Sequence, residues 1–169
     1  MILTFRTSVI ASILALAPAL AVAQGAQIAF GALSHDASQP VEVTSERLDV
    51  DQGDGTAVFS GEVLVGQGDM RLSADEVLVV YAEDAAAGSG RIARLEAMGS
   101  VLLALGDEAA EAQRAVYSID SGTIVMSGNV LLTQGPSAIG GERLVVDLDS
   151  GTGTMEGRVR TVLQPGNGE

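Results

Sequence analysis

The chain has 169 residues, a formal net charge of −13, no cysteine and no tryptophan, and all 9 of its basic residues are arginine. Without cysteine there is no disulfide framework, no thiol nucleophile and little basis for a zinc site. A nucleic-acid groove needs a basic stripe and stacking aromatics, and this acidic, aromatic-poor chain has neither, so nucleic acid is excluded as a partner.

Arg6 precedes an apolar stretch from Ser8 to Leu20, followed by Ala21-Val22-Ala23 and Gln24. This is the order of a secretory signal peptide: positive end, short apolar core, small-residue cleavage box. The core is shorter than the roughly 18–20 residues that span a bilayer. Residues 1–23 are therefore expected to be a cleaved signal peptide, and the mature chain to start near Gln24. Residues 24–39 lack sustained periodicity and read as a flexible leader.

From Pro40 the pattern changes. Val41-Glu42-Val43, Leu48-Asp49-Val50, Ala57-Val58-Phe59 and Val63-Leu64-Val65 are period-two runs separated by Gly, Asp, Ser and Gln. Such runs predict short half-buried strands. Glu46-Arg47-Leu48 recurs as Glu142-Arg143-Leu144, and a Gly-x-Val unit recurs at Gly61, Gly99, Gly128 and Gly157. The last two steps are both 29 residues and the first is 38. The extra residues are assigned to a surface loop over Ala82 to Gly90. A bulky apolar residue two positions before the glycine (Phe59, Met126, Met155) predicts an inward side chain and then a sharp bend. Asp107 to Arg114 could form a turn or two of helix between strand-like flanks.

Chemistry is hard to place. The lone His35 lies in the leader without an orienting partner. The run Asp49 to Gly55 fails as a calcium loop, since its sixth position is Asp54 and its twelfth is Ser60, and it reads as an acidic β-turn. Asp147 and Asp149 read as solvated acids at a strand edge. Arg47, Arg114 and Arg143 occupy equivalent places; they either contact a ligand's anionic groups or pair with Glu46, Glu111 and Glu142, and the second reading is preferred. No catalytic residue, metal ligand or cofactor site is expected, so the chain reads as a binding protein rather than an enzyme.

Pro40-Val41-Glu42-Val43, Ala57-Val58-Phe59-Ser60-Gly61-Glu62-Val63, Gln67-Gly68, Ser73-Ala74-Asp75-Glu76-Val77 and Ser127-Gly128-Asn129-Val130-Leu131-Leu132-Thr133-Gln134 together resemble the LptA/OstA-type family of periplasmic lipopolysaccharide transport proteins. The resemblance runs from Pro40 to about Leu163. It implies an all-β fold: an open twisted β-jellyroll of two facing antiparallel sheets made from short repeated strands. Residues 40–163 would form that domain and 164–169 a flexible C-terminal tail. It also implies a periplasmic carrier of lipopolysaccharide, holding the lipid A acyl chains in an apolar slot. The implied partners are an inner-membrane export complex, the N-terminal domain of an outer-membrane translocon, and further copies stacked head to tail. Strand parity assigns Val41, Val43, Leu48, Val50, Phe59, Val63, Leu103, Tyr117, Ile119, Met126 and Val130 to the slot. Two alternatives stay open: a self-assembling β-repeat scaffold without cargo, distinguished by a dry packed interior, and another subunit of the same superfamily. The cleavage box argues against an anchored subunit, and the absence of a barrel after Glu169 against a translocon domain.

Overall fold

The computed structural model describes residues 26–29, 39–82 and 90–162. The expected signal peptide, His35 and the expected C-terminal tail lie outside them. Eleven strands follow in chain order: β1 (Ala26–Ala29), β2 (Glu42–Thr44), β3 (Arg47–Asp51), β4 (Thr56–Gln67), β5 (Met70–Tyr81), β6 (Ile92–Leu105), β7 (Glu108–Ser118), β8 (Thr123–Gln134), β9 (Ser137–Asp147), β10 (Thr152–Glu156) and β11 (Arg160–Val162). No helix occurs among the described residues. The expected helical turn at Asp107 to Arg114 is instead the start of β7. Its Ala and Glu residues favour helix locally, but ladders to β6 and β8 on either side override that preference. Residues 26–29, inside the expected leader, also form a strand.

β4 to β9 make one antiparallel meander in which each strand pairs with the next. The short runs in the sequence are halves of long strands of 11 to 14 residues. Each break is a bulge at the repeated glycine. Between β4 and β5 the register runs Ser60↔Glu76 and then Val63↔Ala74, so Gly61 and Glu62 together face Asp75. The same shift recurs at Met98/Val101 on β6 and Ser127/Val130 on β8. An extra residue on one strand bends it and sharpens its twist. Bends aligned across successive strands fold the sheet along a line, producing two facing layers.

Layer one contains β3, β10, β1 and the arms of β4 to β9 that carry Ala57, Val79, Leu95, Tyr117, Ile124 and Val146. Layer two contains β2, β11 and the arms that carry Val65, Leu72, Leu103, Ala110, Leu132 and Ile139. Layer-two arms are joined by two-residue hairpin loops, Gly68-Asp69, Gly106-Asp107 and Gly135-Pro136. The longer first repeat step is taken up between β5 and β6; residues 83–89 there lie outside the described residues.

At each bend both residues have positive φ: Gly61 80° and Glu62 45°, Gly99 74° and Ser100 47°, Gly128 86° and Asn129 50°, Gly157 78° and Arg158 40°. Glycine takes this conformation freely, whereas a side chain with Cβ pays roughly 1–2 kcal/mol. Asparagine is the most tolerant of the four second residues. Glu62→Gly and Arg158→Gly are therefore each expected to stabilise the fold by about 0.5–1 kcal/mol, after allowing for the unfolded chain's extra freedom. Asn129→Gly is expected to change it little. Thermal unfolding of the three variants checks the ranking.

Candidate functional site

The inner faces of the two layers are almost wholly apolar. In layer one, one inward row runs Ala57, Val79, Leu95, Tyr117, Ile124, Val146 and Gly153 through consecutive register partners. The next runs Leu48, Phe59, Val77, Ala97, Ala115, Met126, Leu144 and Met155. Layer two answers with Val65, Leu72, Leu103, Ala110, Leu132 and Ile139, and beside the bends with Val63, Val101 and Val130. In the middle of the molecule these faces are in contact. Val65, Leu103, Ile124, Met126, Leu132, Leu144 and Met155 are each 0% exposed, which leaves no water-sized space against them.

One polar pair crosses this interior. The Tyr117 hydroxyl of layer one donates to Gln67 Oε1 of layer two at 2.9 Å, and Gln67 Nε2 donates to the Gln39 carbonyl at 3.0 Å. Gln67 is the buried polar side chain among the described residues. Burial first, and then the Asp149 carboxylate, push the Tyr117 phenol up to about 12, so it remains a neutral donor at physiological pH. The pair pins the free ends of the two layers to each other.

The interior opens at its edges. Leu48 and Val50 on β3 pair with Phe59 and Ala57 and so share the inward parity, yet they are 51% and 48% exposed because no strand lies beyond β3 in its layer. β2 and β3 at one end and β1 and β11 at the other are edge strands, β1 lying against β10.

The sequence-derived slot residues therefore divide three ways. Val63, Leu103, Tyr117, Met126 and Val130 are brought together in the packed interior. Val41, Val43, Phe59 and Ile119 are half-buried against it. Leu48 and Val50 lie in the open at the β3 edge. Parity did not find Val77, Val79, Leu95, Ala110 or Ala115, all buried. Val77-Leu78-Val79-Val80 is a continuous apolar run with no alternation to read, and the β7 positions Ala110 and Ala115 are alanines, too small to mark a face. Gln67 carried a signal, since Gln67-Gly68 repeats as Gln134-Gly135.

Apart from Glu108, which shares the inward parity of Ala110 and whose Oε1 accepts from Gln134 Nε2 at 2.7 Å, the charged groups on the strands face outward. Arg47, Arg114 and Arg143 stand in a single outward row beside the bends, linked through Ser60, Glu76, Met98 and Ser127. Each forms an ion pair, but not with the glutamate expected from sequence. Arg47 pairs with Asp49 at 2.7 Å, Arg114 with Glu96 at 2.5 Å and Arg143 with Glu156 at 2.7 Å. Alternation explains the difference: a neighbour in sequence points to the other face, so the partner lies two residues away or across the ladder. Glu96 also accepts from Arg94; that hydrogen bond foremost, with the charges of Arg94 and Arg114, holds its carboxyl below the usual range. The two acidic turns behave as turns: Asp51 accepts from the Gly53 and Asp54 amides and Asp147 from the Ser150 amide.

Residues 42–152 match the family model described as LptA/(LptD N-terminal domain) LPS transport protein. The chain belongs to this family. The chain shares its fold with a solved relative. That relative is LptH of Pseudomonas aeruginosa, described as the LptA homologous periplasmic component of the conserved lipopolysaccharide transport device. The two superpose with a TM-score of 0.68 at 19% identity, covering 78% of this chain and 99% of that one. An uncharacterised protein of Rhizobium meliloti (strain 1021) is 30% identical over 111 residues, 64% of this chain and 59% of that one. The chain thus spans less than two thirds of that relative's length.

Proposed function

We propose that this chain is a periplasmic, non-enzymatic carrier that holds the acyl chains of lipopolysaccharide between its two layers. By end-to-end assembly it bridges an inner-membrane extraction complex and the N-terminal domain of an outer-membrane translocon. The observation that carries this is the inner face: unbroken apolar rows across the meander, reaching solvent at Leu48 and Val50. An acyl chain in water costs about 0.8 kcal/mol for every CH₂ left exposed. A face of Val, Leu, Ile and Met removes that cost without demanding one exact ligand shape, and unbranched Met126 and Met155 can repack around a mobile chain. The acidic surface disfavours close contact with phosphorylated sugars, so the head group stays in solvent. The edge strands β2, β3 and β11 offer unpaired backbone groups for strand addition by neighbouring modules.

The closed middle of the interior favours a second reading, a self-assembling scaffold with no cargo. The two differ in one measurable respect. On the carrier reading, a photoreactive side chain at inward Met126 captures lipopolysaccharide in cells. On the scaffold reading it captures only protein.

A further inference from the structure

The two ends of the folded sheet are not equivalent. At one end both edge strands, β2 and β3, are open. At the other, β11 is the open edge of layer two, but in layer one β10 carries β1, a strand from the start of the chain, which takes its place as the edge. β1 pairs antiparallel with β10 in the register Ala26↔Met155, Gln27↔Thr154, Ile28↔Gly153 and Ala29↔Thr152. Ile28 packs against the core. It extends the inward row that ends at Gly153, a position with no side chain of its own.

The opposite end of that same row is Val50, and the end of the neighbouring row is Leu48. Both are exposed. Strand direction alternates through the meander, so β3 runs opposite to β10, as β1 does. A second copy advanced along the stack in the same orientation presents its β3 to β10 antiparallel. Val50 then falls beside Gly153 where Ile28 sits, and Leu48 beside Met155 where Ala26 sits. β1 and an incoming β3 are alternative occupants of one edge.

We infer that β1 is a removable intrachain cap that competes with β3 of a second copy for the β10 edge. It restrains end-to-end assembly until it is displaced. This rests on the end-to-end reading above. A four-residue strand yields few ladder bonds to a competitor of five. A partner that brings two exposed aliphatic side chains gains apolar burial in the exchange. The tether gives the cap a high local concentration, so displacement needs a partner that is also held at β11.

The native chain contains no cysteine, so Gln27→Cys/Thr154→Cys introduces a single bridge that locks β1 on β10. Sedimentation of the purified mature chain is compared oxidised and reduced. The oxidised form is expected to need an about ten-fold higher concentration to half-assemble, equivalent to roughly 1.4 kcal/mol. Removing residues 24–29 is expected to lower the wild-type midpoint. Equal assembly of oxidised and reduced forms would overturn the cap while leaving end-to-end stacking intact, as would bridges formed only between copies. Absence of assembly in every form would overturn stacking and the cap together.

Discussion

Gly99→Ala is expected to cost the fold about 3–4 kcal/mol, a large share of the roughly 5–15 kcal/mol that holds a domain together. Two effects add. At φ 74° a side chain with Cβ is strained by roughly 1–2 kcal/mol. The new methyl is also crowded, because it would lie 3.0 Å from the Asp75 Cβ on β5, an atom that side-chain rotation cannot move away. β5 cannot step aside, since β4 holds it on its other flank. The clash recurs down the fold line: a Cβ at Gly128 would lie 2.7 Å from Gln113 Oε1, and one at Gly157 2.6 Å from Glu142 Cβ. Gly135 is the control. Its φ is 52° and nothing lies within 4 Å of its Cβ position. Gly135→Ala should therefore lose only the conformational part, about 1–2 kcal/mol. Urea unfolding separates the two; equal losses would mean that close approach at the bend is not what requires glycine.

Leu103→Ala is expected to cost about 2–5 kcal/mol, from lost burial plus the cavity left behind. Its outward neighbour Leu102, 39% exposed, should change stability by no more than about 0.5 kcal/mol on the same substitution. The contrast follows from strand parity alone, and cargo adds a second consequence. On the carrier reading, an acyl chain enters the wild-type protein only where packed layers part, separating contacts such as those around Leu103. The alanine variant has already lost them, so it should gain more from ligand than the wild-type protein does. A ligand at about 100 times its dissociation constant stabilises by about 2.7 kcal/mol. Lipopolysaccharide should thus restore much of the loss in Leu103→Ala, and its deacylated saccharide none. Thermal midpoints with each ligand measure the difference.

Much of this architecture is legible in the residues themselves. Alternation at Val63, Val65, Val130 and Leu132 places each on the inner face, and the repeated glycines mark the bends. In the sequence the bends look like ends of short strands, because local sequence does not distinguish a bulge from a turn; only the resumed pairing beyond it does. Contacts remote in sequence were hidden for the same reason. Tyr117 and Gln67 are 50 residues apart, and nothing near either names the other. Leu48 and Val50 have the inward parity they were assigned, but exposure depends on what lies beyond the edge, which alternation does not encode. β1 carries no periodic signal, because four residues with one large aliphatic, Ile28, are too few to show a period.

The central claim is that the inner face, and not the outer, meets the acyl chains. Met126 and Val125 are adjacent on β8 and point to opposite faces: Met126 is 0% exposed inside, and Val125 pairs with Val116 and Val145 in an outward row. A photoreactive residue placed at each in turn, with irradiation of living cells, tests the claim directly. The carrier account predicts a lipopolysaccharide adduct from position 126 and from inward Val43, and none from position 125. Adducts of equal yield from 125 and 126, or only protein adducts from 126, would contradict it.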